Sequence, residues 1–265
     1  MSKIKKQKKY LIKIKANKPF FSVITVVKNA EKDVIKTIKS VKNQTYKNYE
    51  YIVIDGNSED HTVKNVLRYR KNINLFISEN DKGIYYAMNK GINFSRGKII
   101  IFVNSGDILT KNALKNVNEI FNKNKKYDYV FGTVKRHYTK DTILKYGVNV
   151  GRLKYNFDFA TSHSTGFFLK KKIFQKYGLF NTKYKCSADY DLYYRLIIKK
   201  KIEGSSTKKS KLIGIVQSGG YSSKISFFSH LKEETLIRIN NNQNLFFVSL
   251  IFINAVIKHF FKYFK

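Results

Sequence analysis

The sequence predicts an α/β domain built on a mixed, mainly parallel sheet covered by helices on both faces, and three observations predict it. Short apolar runs rich in β-branched residues recur through the first half, stretches at helical spacing separate them, and a polar or acidic residue follows each run. A strand that is apolar without alternation is one buried on both sides, as in a helix-covered parallel sheet.

Phe21–Val27 (FSVITVV) opens the series as a strand, and Val34, Ile35, Ile38 and Val41 then fall on one helical face. Residues 49 to 54 (YEYIVI) form a second strand that stops at the turn sequence Asp55-Gly56-Asn57-Ser58, and Val63, Val66 and Leu67 mark the next helix. The alternation continues with a strand at 73 to 77, a helix at 83 to 94 and a strand at 98 to 103 (KIIIFV). The second half is less regular: strands at 127 to 134 and 166 to 169 and a helix at 188 to 199 predict a mixed sheet there. Ligands of open α/β sheets sit outside the carboxyl ends of the strands. The residues that follow strands are therefore the first candidates for chemistry: Asn29, Asp55, Asp81 and the turn from Asn104 to Asp107.

With 265 residues, 43% of them hydrophobic, a single proline and no Ser/Pro-rich linker or repeat, the chain reads as one domain with short appendages. The divisions are a basic leader at 1–18, a catalytic domain at 19–225 and a C-terminal helical segment at 226–265. Cys186 is the one cysteine, which excludes an internal disulfide and a cysteine-based zinc site and points to a reducing cytosol. Lys13, Lys15 and Lys18 interrupt the apolar run that a secretory signal needs, so no export signal is read.

A net charge of +34 suits nucleic acid or an anionic membrane surface, but Lys, Asn and Ile abound along the whole chain, as an A/T-rich genome would produce. Both readings of the charge stay open. No nucleic-acid motif accompanies it, and no nucleic-acid partner is expected. Val27-Lys28-Asn29-Ala30 carries none of the glycines of a dinucleotide-binding turn, and no P-loop occurs, which argues against nicotinamide enzymes and P-loop nucleotide hydrolases.

Five runs in order carry a more specific signal: SVITVVKNA (22–30), IKSVKNQTYKNYEYIVIDGNSEDHT (38–62), SENDKGIYYAMNKGI (78–92), GKIIIFVNSGD (97–107) and SADYDLYYRL (187–196). They resemble the inverting family 2 glycosyltransferases of GT-A (Rossmann-like) fold, within them the branch that builds capsule, O-antigen and colanic-acid-type exopolysaccharide. The resemblance spans about residues 20 to 225. It implies a nucleotide-diphosphate-sugar donor, UDP-linked by expectation, and a glycan or polyprenyl-diphosphate-linked acceptor.

The resemblance also implies roles. Asp55 would accept the N3–H of a uracil ring, with Gly56 letting the backbone approach the base; an Asx-turn that caps the next helix is the alternative use of Asp55. Asn104-Ser105-Gly106-Asp107 stands where the family has DxD and keeps only the last acid. Asp107 would hold Mn²⁺ or Mg²⁺ against the donor diphosphate. Asp189, in the place of the family's acidic pair before a D-L-x-x-R-L helix, would be the general base. Asp191 reads either as part of the acceptor site or as a partner for Arg195 four residues on. Asn29, Asp81, Lys82 and Asn89 fall among donor-binding positions, Lys82 either facing the phosphates or solvated. His163, Gly219, Gly220 and Ser222 match positions near the diphosphate or acceptor. The thinned DxD and the missing first acid of the base pair leave a catalytically inactive nucleotide- or glycan-binding relative as one alternative, and a basic nucleic-acid-binding protein, resting on charge alone, is the other.

Leu245 to Ile257 (LFFVSLIFINAVI) is nearly unbroken in apolar character yet short of the roughly 20 residues that span a bilayer. A helix over 244–264, aromatic and lysine-bearing, is expected to lie on an anionic membrane surface at the cytoplasmic face, or else to dock on the domain or in a homodimer.

Overall fold

The computed structural model describes residues 8–11, 18–138, 141–155, 164–220 and 224–261. In chain order the first half runs β1 (Lys8–Leu11), β2 (Phe21–Val27), α1 (Asp33–Lys42), β3 (Tyr49–Asp55), α2 (Thr62–Arg68), β4 (Leu75–Ser78), α3 (Ile84–Phe94), β5 (Ile99–Phe102), β6 (Ile108–Leu109) and α4 (Ala113–Lys123). The second half adds β7 (Tyr129–Phe131), β8 (Thr133–His137), β9 (Thr142–Lys145), α5 (Val150–Tyr155), β10 (Phe167–Lys170), α6 (Lys171–Tyr177), α7 (Ala188–Tyr193), β11 (Gly204–Ser206), β12 (Leu212–Val216), α8 (Phe227–Asn240) and α9 (Leu245–Phe261).

Eight strands form one sheet in the order β1-β4-β3-β2-β5-β10-β7-β11. β4, β3, β2 and β5 are parallel, and β10 runs antiparallel between β5 and β7, so the sheet is mixed where the sequence predicts it. β1, part of the basic leader, pairs antiparallel with β4 at the sheet edge.

The unbroken apolar strands are explained by two cores. Ile24, Val26, Ile52, Ile54, Ile100 and Phe102 face α3 and α7, whereas Phe21, Val23, Tyr51, Val53, Ile99 and Ile101 face α1 and α4. Each strand alternates between two buried faces and spends no position on solvent.

Two predicted elements differ in detail. The strand read at 127 to 134 is two strands in two sheets: at Gly132 the chain leaves the large sheet and enters a four-stranded one of order β6-β12-β8-β9. A side chain at Gly132 would stand 2.7 Å from Ile213, so the switch needs glycine. The helix read at 188 to 199 is α-helical only to Tyr193 and continues as a π-helix through Tyr194–Lys199. In the C-terminal segment α8 and α9 pack together, the rings of Phe227 and His259 stacking at 3.8 Å.

Candidate active site

The carboxyl ends of β2, β3, β4 and β5 converge on one edge, and the loops leaving them carry most of the polar candidates. Asp55, fully buried at the end of β3, accepts the Ser58 N–H and hydroxyl and the Ser78 hydroxyl from β4. Ser58 also accepts the N–H of Asn29 at 2.8 Å, and Asn29 Oδ1 accepts the Glu59 N–H at 2.9 Å. Asp55 thus closes its own turn and, through Ser58, ties the β2–α1 loop to the β3–α2 loop, but it does not cap α2, which starts at Thr62 with His61 as its N-cap. The Gly56 N–H is spent on Val27 O.

Asp81 lies beyond β4 with Oδ1 on Lys90 Nζ at 2.5 Å, and Lys90 also reaches Glu79 at the same distance. Burial raises the Asp81 carboxyl above its usual range against the pull of Lys90. Its Oδ2 is buried with no hydrogen-bond partner among the described residues. Lys82 is exposed, and Lys90, one helical stretch away on α3, is the cation that meets Asp81. Asn89 exchanges two hydrogen bonds with the backbone of Phe180, so its amide fixes the loop before α7.

The turn after β5 is held from beneath by α1. Thr37 Oγ1 accepts the Gly106 N–H and donates to Asp107 O at 2.8 Å, and Gly106 takes φ +98°, where a side chain would be strained. Asp107, 4% exposed, accepts the Thr165 hydroxyl on Oδ2 and the Gln217 N–H on Oδ1. Burial pushes its carboxyl up to about 7, opposed by Thr165, by Gln217 and by the charge of Arg136. Asn104 Nδ2 donates to Ser164, while Asn104 Oδ1 and Ser105 Oγ are buried without partners among the described residues. Asp107, Asn104 Oδ1 and Ser105 Oγ are hard oxygen donors of the kind Mn²⁺ and Mg²⁺ take, and they fit a cation shared with a diphosphate. No group of three or more His, Cys, Asp or Glu among the described residues makes an all-protein cage.

Asp189 sits in the first turn of α7, partly buried, with Oδ1 accepting the Tyr85 hydroxyl at 3.2 Å and the Tyr190 N–H at 2.9 Å. Desolvation raises its carboxyl above the usual range, and those two donors and the nearby His230 oppose the shift. Tyr85 stands in the first turn of α3, just past β4, which brings Asp189 to the carboxyl edge of the sheet. Asp191 instead points into the protein, 2.8 Å from Arg195 Nε, and Arg195 continues to Tyr177 O and Leu179 O. It is a structural partner.

Gly219 and Gly220 follow Gln217 on the exposed loop after β12, Gly219 at φ +89°. His163 and Ser222 lie outside the described residues. The residues that sequence reading missed are the second partners: Thr37, Ser58, Ser78, Tyr85, Lys90 and Thr165. Hydroxyls scattered over five elements leave no linear pattern, although Thr165 lies two residues from His163, already singled out. A separate basic groove, lined by Lys18, Arg96, Lys98, Lys125, Lys170 and Lys171, opens at the amino ends of β2 and β5, away from these loops.

Comparison with known proteins accords with this geometry. The family model described as "Glycosyl transferase family 2" matches residues 22–188, more than half of the chain. A "PGL/p-HBAD biosynthesis glycosyltransferase" of Mycobacterium bovis is 26% identical over 181 residues, covering 67% of this chain and 69% of the relative. Among solved structures, S. aureus TarS 1-349 in complex with UDP-GlcNAc superposes with a TM-score of 0.64 at 17% identity, over 91% of this chain and 72% of that one. The chain spans 43% of the longer TarS chain. The mannosyltransferase PcManGT of Pyrobaculum calidifontis, in complex with GDP-Man and Mn²⁺, gives 0.65 at 15% identity, over 91% and 69%. At these identities the structural likeness speaks for the shared fold.

Proposed function

The chain belongs to glycosyl transferase family 2, and from that membership we propose that it transfers a sugar, with inversion, from a nucleotide-diphosphate donor to a hydroxyl of a glycan or polyprenyl-diphosphate-linked acceptor. The observation that supports this best is the separation of a buried and a half-buried carboxylate into different settings at one sheet edge. Asp107 is sunk in a turn with two oxygens, of Asn104 and Ser105, that have no partner among the described residues, and Asp189 sits at a helix start on a tyrosine hydroxyl. Two carboxylates in unlike surroundings take unlike roles.

In this reading Asp55 and Asn29 shape the nucleotide pocket, and Asp107, with Asn104 and Ser105 beside it, is the place for Mn²⁺ or Mg²⁺. A cation bound there neutralises charge on the diphosphate leaving group. Asp189 takes the proton from the acceptor hydroxyl as its oxygen attacks the anomeric carbon, and the bond to the diphosphate oxygen breaks on the opposite face. A base raised above the ordinary carboxylate range by burial suits that transfer. UDP is our choice of nucleotide, and assembly of a surface polysaccharide of capsule, O-antigen or colanic-acid type our choice of process.

The acceptor's lipid would bring the enzyme to the cytoplasmic face of a membrane. Supporting this, α9 leaves Leu245, Phe246, Phe247, Ile253, Phe260 and Phe261 exposed while burying Val248 and Ile251. Its 17 residues extend about 26 Å at 1.5 Å per residue. No described helix is long and apolar enough to cross a membrane, so α9 would lie in the interface.

A panel of UDP-, GDP- and dTDP-sugars, read by release of the nucleotide with Mn²⁺ and lipid-linked acceptors, tests the proposal. Acceptor-stimulated release from one donor class is the result it requires; a chain that binds nucleotide and releases none would be an inactive relative.

A further inference from the structure

α8 follows the family match, yet one of its side chains is tied to the loop that feeds the proposed base. Glu233 accepts the backbone N–H groups of Lys185, Cys186 and Ser187 at 2.7, 2.9 and 2.9 Å, and the Cys186 thiol at 3.1 Å. Burial alone would raise the Glu233 carboxyl, but these donors outweigh it and hold the group below its usual range. Ser187, the N-cap residue of α7, makes no capping bond with its own side chain. The entry to the helix is fixed by a carboxylate from a different element. From the other side Tyr85 donates to Cys186 O at 3.0 Å and to Asp189 Oδ1 at 3.2 Å. The three residues before α7 are thus clamped between α8 and α3, and Asp189 is the second residue of the helix that emerges.

We propose that Glu233 is the positioning residue for the base: it orients α7 so that the Asp189 carboxylate meets the acceptor hydroxyl. The proposal rests on the reading of Asp189 as general base. It gives α8 a catalytic purpose apart from any membrane contact of α9. A clamp of four bonds to one carboxylate is costly to desolvate unless all are made, and no part of it touches Asp55 or Asp107. Its loss therefore acts on the proton transfer and leaves the donor pocket in place.

The test compares Glu233→Gln and Glu233→Ala with Asp189→Asn and with the double variant Glu233→Gln/Asp189→Asn, in the full chain. Turnover should fall about tenfold in Glu233→Gln and further in Glu233→Ala, with nucleotide affinity within about twofold of the parent, because misplacing a catalytic group by about an ångström costs up to 10². The groups around Asp189 that titrate or carry charge are Tyr85, Tyr193, Cys186 and His230. If α7 loosens, both the burial that raises the Asp189 carboxyl and the Tyr190 and Tyr85 donors that lower it change, and the acid limb of the turnover profile moves. A merely structural role would lower Tm and leave that limb where it was. The double variant should be no slower than Asp189→Asn, since the clamp acts only through the base. A Glu233→Ala enzyme with parental turnover and pH profile, beside a crippled Asp189→Asn enzyme, overturns the positioning role alone. Parental turnover in Asp189→Asn overturns the base reading itself.

Discussion

Thr165 donates its hydroxyl to Oδ2 of Asp107 while the backbone of Gln217 closes on Oδ1. Two donors from separate parts of the chain thus favour the charged form of a carboxylate that burial holds near 7. Removing one donor should move the balance further towards the neutral acid. Thr165→Val is therefore expected to weaken Mn²⁺-dependent nucleotide binding about three- to tenfold at pH 7, the lower end for one hydrogen bond because about half of the Asp107 carboxyl is already neutral there. Raising the pH to about 8.5 should narrow the gap. Titration calorimetry at the two pH values checks this, and an equal deficit at both would contradict it.

The same shift makes a prediction for stability without ligand. The folded-state pKa of Asp107 is raised, from 3.8 to about 7. Its contribution is thus fully present below the unfolded value and is lost as pH rises through the folded one. Between about pH 4 and 7 the nucleotide-free protein should lose stability from this group. Asp81 and Asp189 are raised as well, so the informative quantity is a difference. Urea midpoints of the parent and of Asp107→Asn should converge at low pH and separate, with the variant favoured, towards pH 7. A difference constant with pH would mean that Asp107 ionises normally.

Asp191, buried, and Arg195, half-buried, form an i,i+4 pair, and Arg195 holds the turn at residues 177 to 179. Asp191→Asn leaves the guanidinium without its anion and should lower stability by about 2–4 kcal/mol. Thermal unfolding reads the loss. Unchanged Tm with abolished turnover would transfer the base role to Asp191.

The α9 surface predicts sedimentation with anionic liposomes in two parts, one screened by salt and one resistant to it. Truncation after Gln243 should remove the resistant part and spare transfer to a short water-soluble acceptor, because Glu233 and the carboxylates assigned to chemistry precede the cut. Loss of nucleotide binding on truncation would show that α9 completes the domain.

The parallel half of the fold was legible because burial on both faces writes itself as unbroken apolar runs, and Phe21–Val27 matches its observed strand residue for residue. α4 carries an equally plain face in Ala113, Leu114, Val117 and Phe121 but was not among the predicted helices. β6 spans two residues and β11 is Gly-Ser-Ser, too short and too polar to announce themselves. Of the candidate site, the carboxylates stand out in the sequence because each follows a strand or opens a helix. The partners that set their ionisation do not, since Thr165 and Tyr85 reach their aspartates across 58 and 104 residues of chain. Lys82 drew attention by adjacency to Asp81, whereas the lysine that meets it, Lys90, is brought there by α3.

The central claim is that Asp189 removes the acceptor proton, and Asp189→Asn tests it most directly when nucleotide affinity and acceptor-dependent turnover are measured on the same preparation. An amide keeps the size and the hydrogen bonding but takes up no proton. The account predicts nucleotide affinity within about twofold of the parent and turnover lower by about 10² to 10⁴, the range for a lost general base. Turnover within about threefold of the parent would contradict it, because losing the base cannot leave the reaction so nearly intact.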